Sequence, residues 1–372
     1  MDSTLVLAPE GIPMKKSAWL PAVVAPVVVA AAVAAPVIAN AANDPVAGTD
    51  PTAASVLASV AAAKDAQYSG ALSQTSDLGL PELPSGSGGS SLQGDASDVL
   101  GLLTASHTAR VYVDGPDKQR FQLTQQLAEQ DVVRNGSDVW TWDSKERTAT
   151  HVVLPERTAA AAPTDGATTP ADVAQRAIDA ITPSTTVSKP TAVRVAGHDA
   201  WQVTLTPKSS DTLVGSVRLA VDQQTGLPLR ATVLAAGQQD PAFEVGFTSL
   251  DYGAPAARLF DFTPPSGADV TTKDLSDAPR HGDDKRDGSG DRRSGTASTV
   301  TGSGWDAVVE LPAGTADRTK LDADGSGLLD QLTKPVDGGR ALQTSLVSVY
   351  LTDDGRVYAG AVPVSALVTA AK

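Results

Sequence analysis

Apolar and polar residues alternate most regularly between residues 110 and 155. Phe121 and Leu123 repeat at a spacing of two, and Trp140 and Trp142 do the same further along. Because the side chains of a strand point alternately to its two faces, this spacing predicts β-strands with one apolar and one polar face. We expect an antiparallel meander here, and its apolar face has to be covered by another part of the molecule or by a ligand.

Turn signals separate the alternating segments. Asn135-Gly136 predicts a hairpin with a type I′ turn, since both central residues of that turn need a positive φ. The charged segment Asp143–Arg147 predicts a solvated turn, Gly197–Asp199 another, and Asp222–Gly226 a hairpin loop. The chain is therefore expected to return on itself repeatedly.

The remaining pattern completes the predicted fold. Helices are expected from Asp50 to about Asp65 and from Thr169 to Ile181, because each apolar stripe follows a capping residue. About nine strands at short spacing with two helices indicate an α+β fold. We expect a large curved antiparallel sheet, a half-open β-barrel, with helices covering its concave face and a small C-terminal αβ appendage.

Composition shifts divide the chain. We predict a signal segment at 1–41, a sheet domain at 42–272, a flexible charged linker at 273–300 and an appendage at 301–372. In the appendage, Leu342–Leu351 and Arg356–Val362 are expected to form a hairpin. At about 70 residues the appendage is short for an independent domain, so we expect it to dock on the main sheet.

The first segment predicts export. Lys15 and Lys16 precede the apolar run Ala18–Ile38, and Ala39-Asn40-Ala41 has the small residues of a cleavage site. The run is also long enough to cross a bilayer, so an uncleaved anchor is the alternative. We expect cleavage after Ala41 and an extracytoplasmic protein, secreted or held in the cell envelope.

Charge and composition narrow the possible partners. The net charge of −14 argues against nucleic acid and against an anionic membrane surface as the main partner. The chain has no cysteine, which excludes disulfides, thiolate metal sites and a lipid anchor on cysteine. Any membrane contact is expected to be peripheral or transient.

No catalytic arrangement is legible in the sequence. His107, His151, His198 and His281 are scattered, and we expect His198 to be a solvated turn residue. The segment Asp322–Gly327 begins like a calcium loop, but its twelfth position is threonine instead of the required glutamate. A capped loop is the better interpretation, and neither a metal nor a cofactor is expected.

The candidate site is the apolar face of the predicted sheet. Two short helices provide little cover for a sheet of this size, so part of the face is expected to form a groove or cavity for a hydrophobic ligand. A fully packed sheet core is the alternative. The expected lining residues occupy the apolar phase of their strands: Val111, Val113, Phe121, Leu123, Trp140, Trp142, Trp201, Val203, Leu205, Leu219, Val221, Phe243, Val245 and Phe247.

Several segments, in this order, resemble the LolA-like superfamily, which includes the MucB/RseB regulators. They are GPDKQRFQLT, EQDVVRNGSDVWTWDSKERTATHVVLP, DAWQVTLTP, VRLAVDQQTGLPLRATV and the ending FEVGFTSLDYGAPAARLFDFTPPSGADV. The resemblance covers about residues 50–270. It implies a half-open barrel around a lipid-accepting cavity and a carrier or sensor without catalysis. Arg110 and Arg120 are the candidates for the strand arginine that holds the lid in LolA.

Three functions follow as expectations. The first is an extracytoplasmic protein that binds an acyl lipid or lipoprotein. The second is a MucB/RseB-like regulator that also binds a membrane anti-sigma factor, which a two-domain layout would suit. The third is an envelope interaction domain with a packed sheet and no lipid.

Overall fold

The computed structural model describes residues 51–63, 66–80, 106–125, 128–155, 179, 181–275, 299–313 and 332–372. These residues form a 13-stranded sheet and a separate six-stranded sheet. The predicted signal segment 1–41, the possible calcium loop, most of the second predicted helix and most of the linker lie outside them. In the described part of the chain, no helix combines the length and apolar character that crossing a membrane requires.

The predicted meander is present and is preceded by one more strand. The six strands are β1 (Gln67–Ser76), β2 (His107–Asp114), β3 (Lys118–Gln125), β4 (Ala128–Asn135), β5 (Asp138–Asp143) and β6 (Thr148–Val153). Each of them pairs with the next in an antiparallel register. The alternating pattern between residues 110 and 155 therefore has the structure that it predicts.

The remaining strands extend the same sheet. They are β7 (Thr185–Val187), β8 (Thr191–Val195), β9 (His198–Pro207), β10 (Val214–Asp222), β11 (Pro228–Ala235), β12 (Pro241–Tyr252) and β13 (Asp269–Asp274). The order is β13-β6-β5-β4-β3-β2-β1-β12-β11-β10-β9-β7, with β8 also pairing with β9. The path is open and does not close into a barrel. The sheet is mixed, not purely antiparallel as expected, because β13 runs parallel to β6. Strand β13 also takes in Lys273 and Asp274, where the sequence predicts the start of the linker.

One α-helix of this sheet has both its ends in the described part of the chain; Asp179 and Ile181 are also helical, and a 3₁₀ helix spans Ala257–Leu259. Helix α1 (Ala53–Ala62) begins at Thr52, whose side chain accepts from the backbone of Ser55 in a capping box. The predicted cap at Asp50 is therefore wrong by two positions. The α1 residues lie against β9 and the turn before β11, where a Cβ on Gly226 would meet the Ser59 carbonyl at 2.3 Å. The described residues do not show the expected cover of helices over the concave face of the sheet.

The hairpin between β4 and β5 differs from the predicted type. Asn135 pairs with Asp138, so the two central residues are Gly136 and Ser137. Gly136 has a φ of +66°, whereas Ser137 is not among the residues with positive φ. A glycine at the first central position is the signature of a type II′ turn. The hairpin prediction is confirmed and its type I′ assignment is wrong.

A hydrophobic core joins both halves of the main sheet. Its buried members come from β8 to β12 and the turn before β11, with partly buried side chains of β1 and β2 packed against them. They are Val195, Ala200, Ala220, Leu227, Leu229, Phe247 and Leu250, and the packed neighbours include Tyr68, Leu72 and Val111. The core therefore lies where β1 and β2 adjoin β12 and the strands that follow it in the sheet.

The C-terminal residues form the second sheet. Its strands are β14 (Thr299–Thr301), β15 (Val308–Leu311), β16 (Lys334–Val336), β17 (Gly339–Gln343), β18 (Ser348–Thr352) and β19 (Val357–Gly360), followed by α2 (Val364–Ala370). The predicted single strand Leu342–Leu351 is wrong, because the backbone turns at residues 344–347 between β17 and β18. Tyr350, Tyr358 and Leu367 belong to a core of this sheet.

Buried polar contacts join the two sheets. Trp305 Nε1 donates to Thr185 Oγ1 at 2.7 Å, and the Leu213 amide donates to the Ala361 carbonyl at 2.7 Å. In the turn between β17 and β18, the Ser345 amide donates at 2.9 Å to the carbonyl of Leu78, which follows β1. Such bonds are directional, so they fix the position of the second sheet against the first.

Candidate apolar ligand site

The apolar residues of β2, β3 and β4 form a continuous surface on one face of the sheet. Val111 pairs with Phe121, and Phe121 pairs with Val132. Phe121 is 40% exposed and Val132 is 44% exposed, although the neighbouring Leu123 is buried. We call this the phenylalanine face. Large apolar side chains that are paired with each other and still exposed form a patch on which a hydrophobic partner can bind.

The predicted site residues of β9, β10 and β12 are less exposed than Phe121. Trp201, Val203 and Leu205 pair with Val221, Leu219 and Val217 between β9 and β10. Val113, Val203, Leu205, Val221 and Phe247 are buried, and Trp201, Leu219, Phe243 and Val245 are half-buried. The five buried residues belong to the hydrophobic core, and the other four are only partly covered. The exposed part of the predicted set is at β3, with Val132 of β4 beside it.

Trp140 and Trp142 lie on the opposite face. They pair with Val133 and Asp131 of β4, whereas Phe121 pairs with Val132. Adjacent residues of a strand point to opposite faces, so the tryptophans and Phe121 cannot share one. The expectation of a single face for the whole set is wrong for this pair. We call their side, between β3 and β6, the tryptophan face.

The chain itself contacts the tryptophan face. Residues 254–268, the closing segment between β12 and β13, place the Phe262 ring 5.6 Å from the Trp140 ring. The His151 ring stacks on Trp140 from the neighbouring strand at 4.2 Å, and its Nε2 lies 2.7 Å from Asp138 Oδ1. Arg147 Nη2 donates to the Ser266 carbonyl at 2.9 Å. This side is occupied by protein groups.

A buried ion pair lies at the same place. Arg120 Nη2 donates to Asp131 Oδ2, and Arg120 Nη1 donates to the Leu259 carbonyl at 3.3 Å. Burial raises the pKa of the Asp131 carboxyl, and the attraction of Arg120 only partly offsets it. Asp131 Oδ1 and Arg120 Nε are buried without a hydrogen bond. Of the two candidate arginines, Arg120 contacts the closing segment and Arg110 is exposed.

Sequence reasoning missed the role of Asp131 and the contact of the closing segment with the tryptophan face. One signal was available, since Asp131 precedes Val133 at the spacing of a buried strand face, and an acid at an apolar position needs a partner. No comparable signal announces that residues 254–268 return to the tryptophan face, because that contact links distant parts of the chain.

The chain matches one family model, that of the MucB/RseB N-terminal domain, over residues 104–265. We call residues 104–265 the MucB/RseB-type domain after this similarity. The resemblance to the LolA-like superfamily is thereby confirmed. The match begins just before β2 and ends within the closing segment, so both faces of the meander and the Arg120–Asp131 pair lie inside it. No curated protein matches the chain.

Solved structures give three further comparisons. MucB in the MucA/MucB complex of Pseudomonas aeruginosa is 18% identical, over 85% of this chain and 96% of that chain, with a TM-score of 0.42. A LolA superfamily protein of Nitrosomonas europaea is 12% identical, over 57% and 98%, with a TM-score of 0.24. LprF of Mycobacterium bovis is 12% identical, over 57% and 95%, with a TM-score of 0.26.

A polar network surrounds the turn between β10 and β11 and the start of β9. Asp222 Oδ1 accepts from the amides of Gln224 and Thr225 at 2.9 and 2.7 Å, which caps the turn before β11. His198 begins β9 and is not a turn residue as expected; its Nε2 lies 3.1 Å from the Leu250 carbonyl. Burial, followed by the effect of Asp222, raises the pKa of Tyr252 to about 12, although Thr225 opposes the shift. These contacts hold a turn and offer no nucleophile.

In the described ranges, no group of three His, Asp or Glu side chains could hold a metal ion. A cleft of about 320 Å³ opens in the C-terminal sheet beside Tyr350, Asp354 and Arg356. Five of its ten lining residues are charged, and it belongs to a different sheet, so it is separate from the apolar patch of the MucB/RseB-type domain.

Proposed function

We propose that this protein is an extracytoplasmic binding protein that takes an acyl lipid or the acyl group of a lipoprotein on the phenylalanine face. The observation that carries the proposal is the cross-strand pair Phe121–Val132, which stays exposed beside the buried Leu123. The confirmed superfamily resemblance supports the same class of ligand. Binding, without catalysis, is the proposed activity.

Burial of an acyl chain can supply enough free energy for reversible binding. Burying a methylene contributes about 0.8 kcal/mol, so a dozen carbons contribute roughly 10 kcal/mol before costs. Lost translational and rotational freedom and chain ordering remove at least about 4 kcal/mol. The net value is then at most about 6 kcal/mol, which corresponds to a dissociation constant of tens of micromolar. Reversible binding of this strength suits a carrier or a sensor.

The ligand need not displace the chain's own closing segment. Trp140 and Trp142 face that segment, so we assign them to structure and place the ligand on the opposite side. Of the sequence-predicted lining residues, Val111, Phe121 and Leu123 are then the nearest to the ligand. The buried residues of β9 to β12 form the wall against which it ends.

Native mass spectrometry of the full chain purified from its own host tests the proposal. We expect added mass in the range of an acyl lipid or acylated peptide, released by organic extraction. The extracted protein should rebind a fluorescent acyl probe with micromolar affinity. A chain that carries no lipid and binds no probe after extraction would refute the proposal and leave an envelope interaction domain with a packed sheet.

A second function is favoured by the family match itself. We infer as an alternative that the protein is a regulator that binds the external segment of a membrane anti-sigma factor, with the C-terminal sheet available as a second contact surface. Calorimetric titration of the full chain with that segment from its own host tests this, with and without bound lipid. Binding that depends on lipid supports the regulator, and no binding in either state excludes it.

A further inference from the structure

Strand β13 forms one edge of the main sheet. Within the described ranges it pairs with β6 and with no other strand, and every one of its residues is exposed. Its sequence, DVTTKD, contains no proline, and no bulge interrupts its pairing with β6. Proline and bulges are two of the devices that keep an edge strand from pairing with another chain. The backbone of this edge can therefore accept a further strand.

The pairing with β6 fixes which backbone groups of β13 point outward. The Asp269 amide donates to the Arg147 carbonyl, just before β6, and the Leu275 amide donates to the Val153 carbonyl of β6, both at 2.9 Å. Backbone groups alternate between the two sides of a strand, so every odd-numbered residue of β13 turns its N–H and C=O towards β6. The outward-facing groups therefore belong to the even-numbered residues, Val270 among them.

Two copies of β13 can pair through these outward-facing groups. In an antiparallel pair, residues directly opposite each other either both point their backbone groups at each other or both point them away. When Thr271 lies on the two-fold axis, Val270 lies opposite Thr272 of the second copy and can exchange both N–H···O bonds with it. Even-numbered residues then meet even-numbered residues, as the pairing with β6 requires.

The same register matches opposite charges. Asp269 lies opposite Lys273 of the second copy, and the two-fold symmetry repeats this contact. Both side chains are exposed, and they occupy positions that exchange no backbone bonds between the copies, where opposing side chains approach most closely. With Thr272 on the axis instead, Lys273 would lie opposite Thr271, and no Asp–Lys pair would form. Charge therefore favours the register centred on Thr271.

We propose that the β13 edge is an interface between two copies of this chain, paired antiparallel with Thr271 on the two-fold axis. A lysine on an edge usually discourages pairing, and here it selects a strand with an acid at the opposite position, which a second copy supplies. Through β6, β5 and β4, Thr271 lies in register with Phe121. Opposing residues share a face, so the joined sheets would carry both phenylalanine faces on one side. So short a pairing buries little area, and the dimer is therefore weak.

Reciprocal charge variants of the full chain test this interface, with sedimentation velocity over about 10 to 500 μM as the measurement. The parent should dimerise over this range. Asp269→Lys places Lys opposite Lys, and Lys273→Asp places Asp opposite Asp, so each variant by itself should dimerise at least tenfold more weakly. An equimolar mixture restores both Asp–Lys pairs and should dimerise as the parent does. Both variants remain strongly negative overall, so nonspecific attraction would not produce this recovery.

A matched control and a backbone variant complete the test. Lys334→Asp makes the same charge change at an exposed lysine of β16, an edge of the other sheet, and should change dimerisation less than twofold. Thr272→Pro removes an outward-facing amide and keeps the bonds to β6, so the dimer should be lost with little change in Tm, whereas Thr272→Val should keep it. A parent that stays monomeric at about 500 μM, a mixture that does not recover, or a dimer that survives Thr272→Pro would overturn the proposal. The proposed lipid binding does not depend on any of these outcomes.

Discussion

The Arg120–Asp131 pair offers the sharpest test of how the MucB/RseB-type domain is held together. Asp131 is 3% exposed, and the Arg120 side chain is 19% exposed. Removing one member of a buried ion pair costs about 3–5 kcal/mol, because the other charge stays buried without a partner. In Asp131→Ala, Arg120 still reaches some solvent and still donates to Leu259. We therefore expect a loss of about 2–3 kcal/mol of unfolding free energy.

Replacing both members of the pair should reduce the unfolding free energy far less than replacing Asp131 alone. In the double variant Arg120→Met/Asp131→Leu no charge is left buried, and the desolvation cost disappears together with the attraction. The raised pKa of Asp131 indicates that burial outweighs that attraction. We expect the double variant to lie within about 1 kcal/mol of the parent, which makes the coupling between the two sites about 2 kcal/mol or more.

Urea unfolding of the full chain, followed by tryptophan fluorescence, measures these differences. Trp140 and Trp142 lie on the same face as the pair, so they report on its surroundings. Folded Asp131 binds its proton more tightly than unfolded Asp131 does, so the parent loses stability as the pH rises through the raised pKa. The double variant lacks this loss, so its unfolding free energy should increase relative to that of the parent as the pH rises through the raised pKa of Asp131. Additive single losses, or Asp131→Ala costing under about 0.5 kcal/mol, would refute the reasoning.

Three further changes have defined outcomes in the same assay. Ala196→Gly should raise the unfolding free energy by about 0.5–1 kcal/mol, because Ala196 has a φ of +49°; an unchanged urea midpoint would contradict this. Burial raises the pKa of Asp143, but hydrogen bonds, first from the Glu146 amide, outweigh it and lower that pKa. Asp143→Ala should therefore cost about 1–2 kcal/mol at neutral pH, a loss that must shrink as the pH falls below about 4. Trp305→Phe should cost about 1–3 kcal/mol by leaving Thr185 Oγ1 without its donor. Thr185→Val in that background should recover part of it, and a further loss would be inconsistent with the contact.

The alternation of apolar and polar residues predicts many of the strands. The register in which the strands pair decides which residues meet, and the alternation does not predict it. The alternation of Val139, Trp140, Thr141 and Trp142 places the tryptophans together on one face, as the sequence predicts. It does not say whether they pair opposite Val132 or Val133, and a shift of one residue exchanges the two faces. That register decides whether the tryptophans meet Phe121.

The candidate site was predictable to a similar degree. The apolar phase of each strand identified Phe121 and Leu123 as site residues. Exposure, however, depends on what the rest of the chain covers, so Val132 was not distinguished from its neighbours. The contact of Phe262 with Trp140 links residues more than a hundred positions apart, and no periodicity within either segment encodes it.

The parallel pairing of β13 with β6 sets an order for assembly. Val270 pairs with Ala149, so the loop that must close is far longer than any hairpin of the meander. Hairpins form within microseconds, whereas contacts between distant segments must first overcome the entropy of the intervening chain. The tryptophan face of the meander is therefore not covered by β13 and the closing segment until residue 274 has been synthesised. If the protein is exported, that residue must also have crossed the membrane. A nascent chain cut short before β13 would present Trp140 and Trp142 to whatever chaperone or protease surveys that compartment.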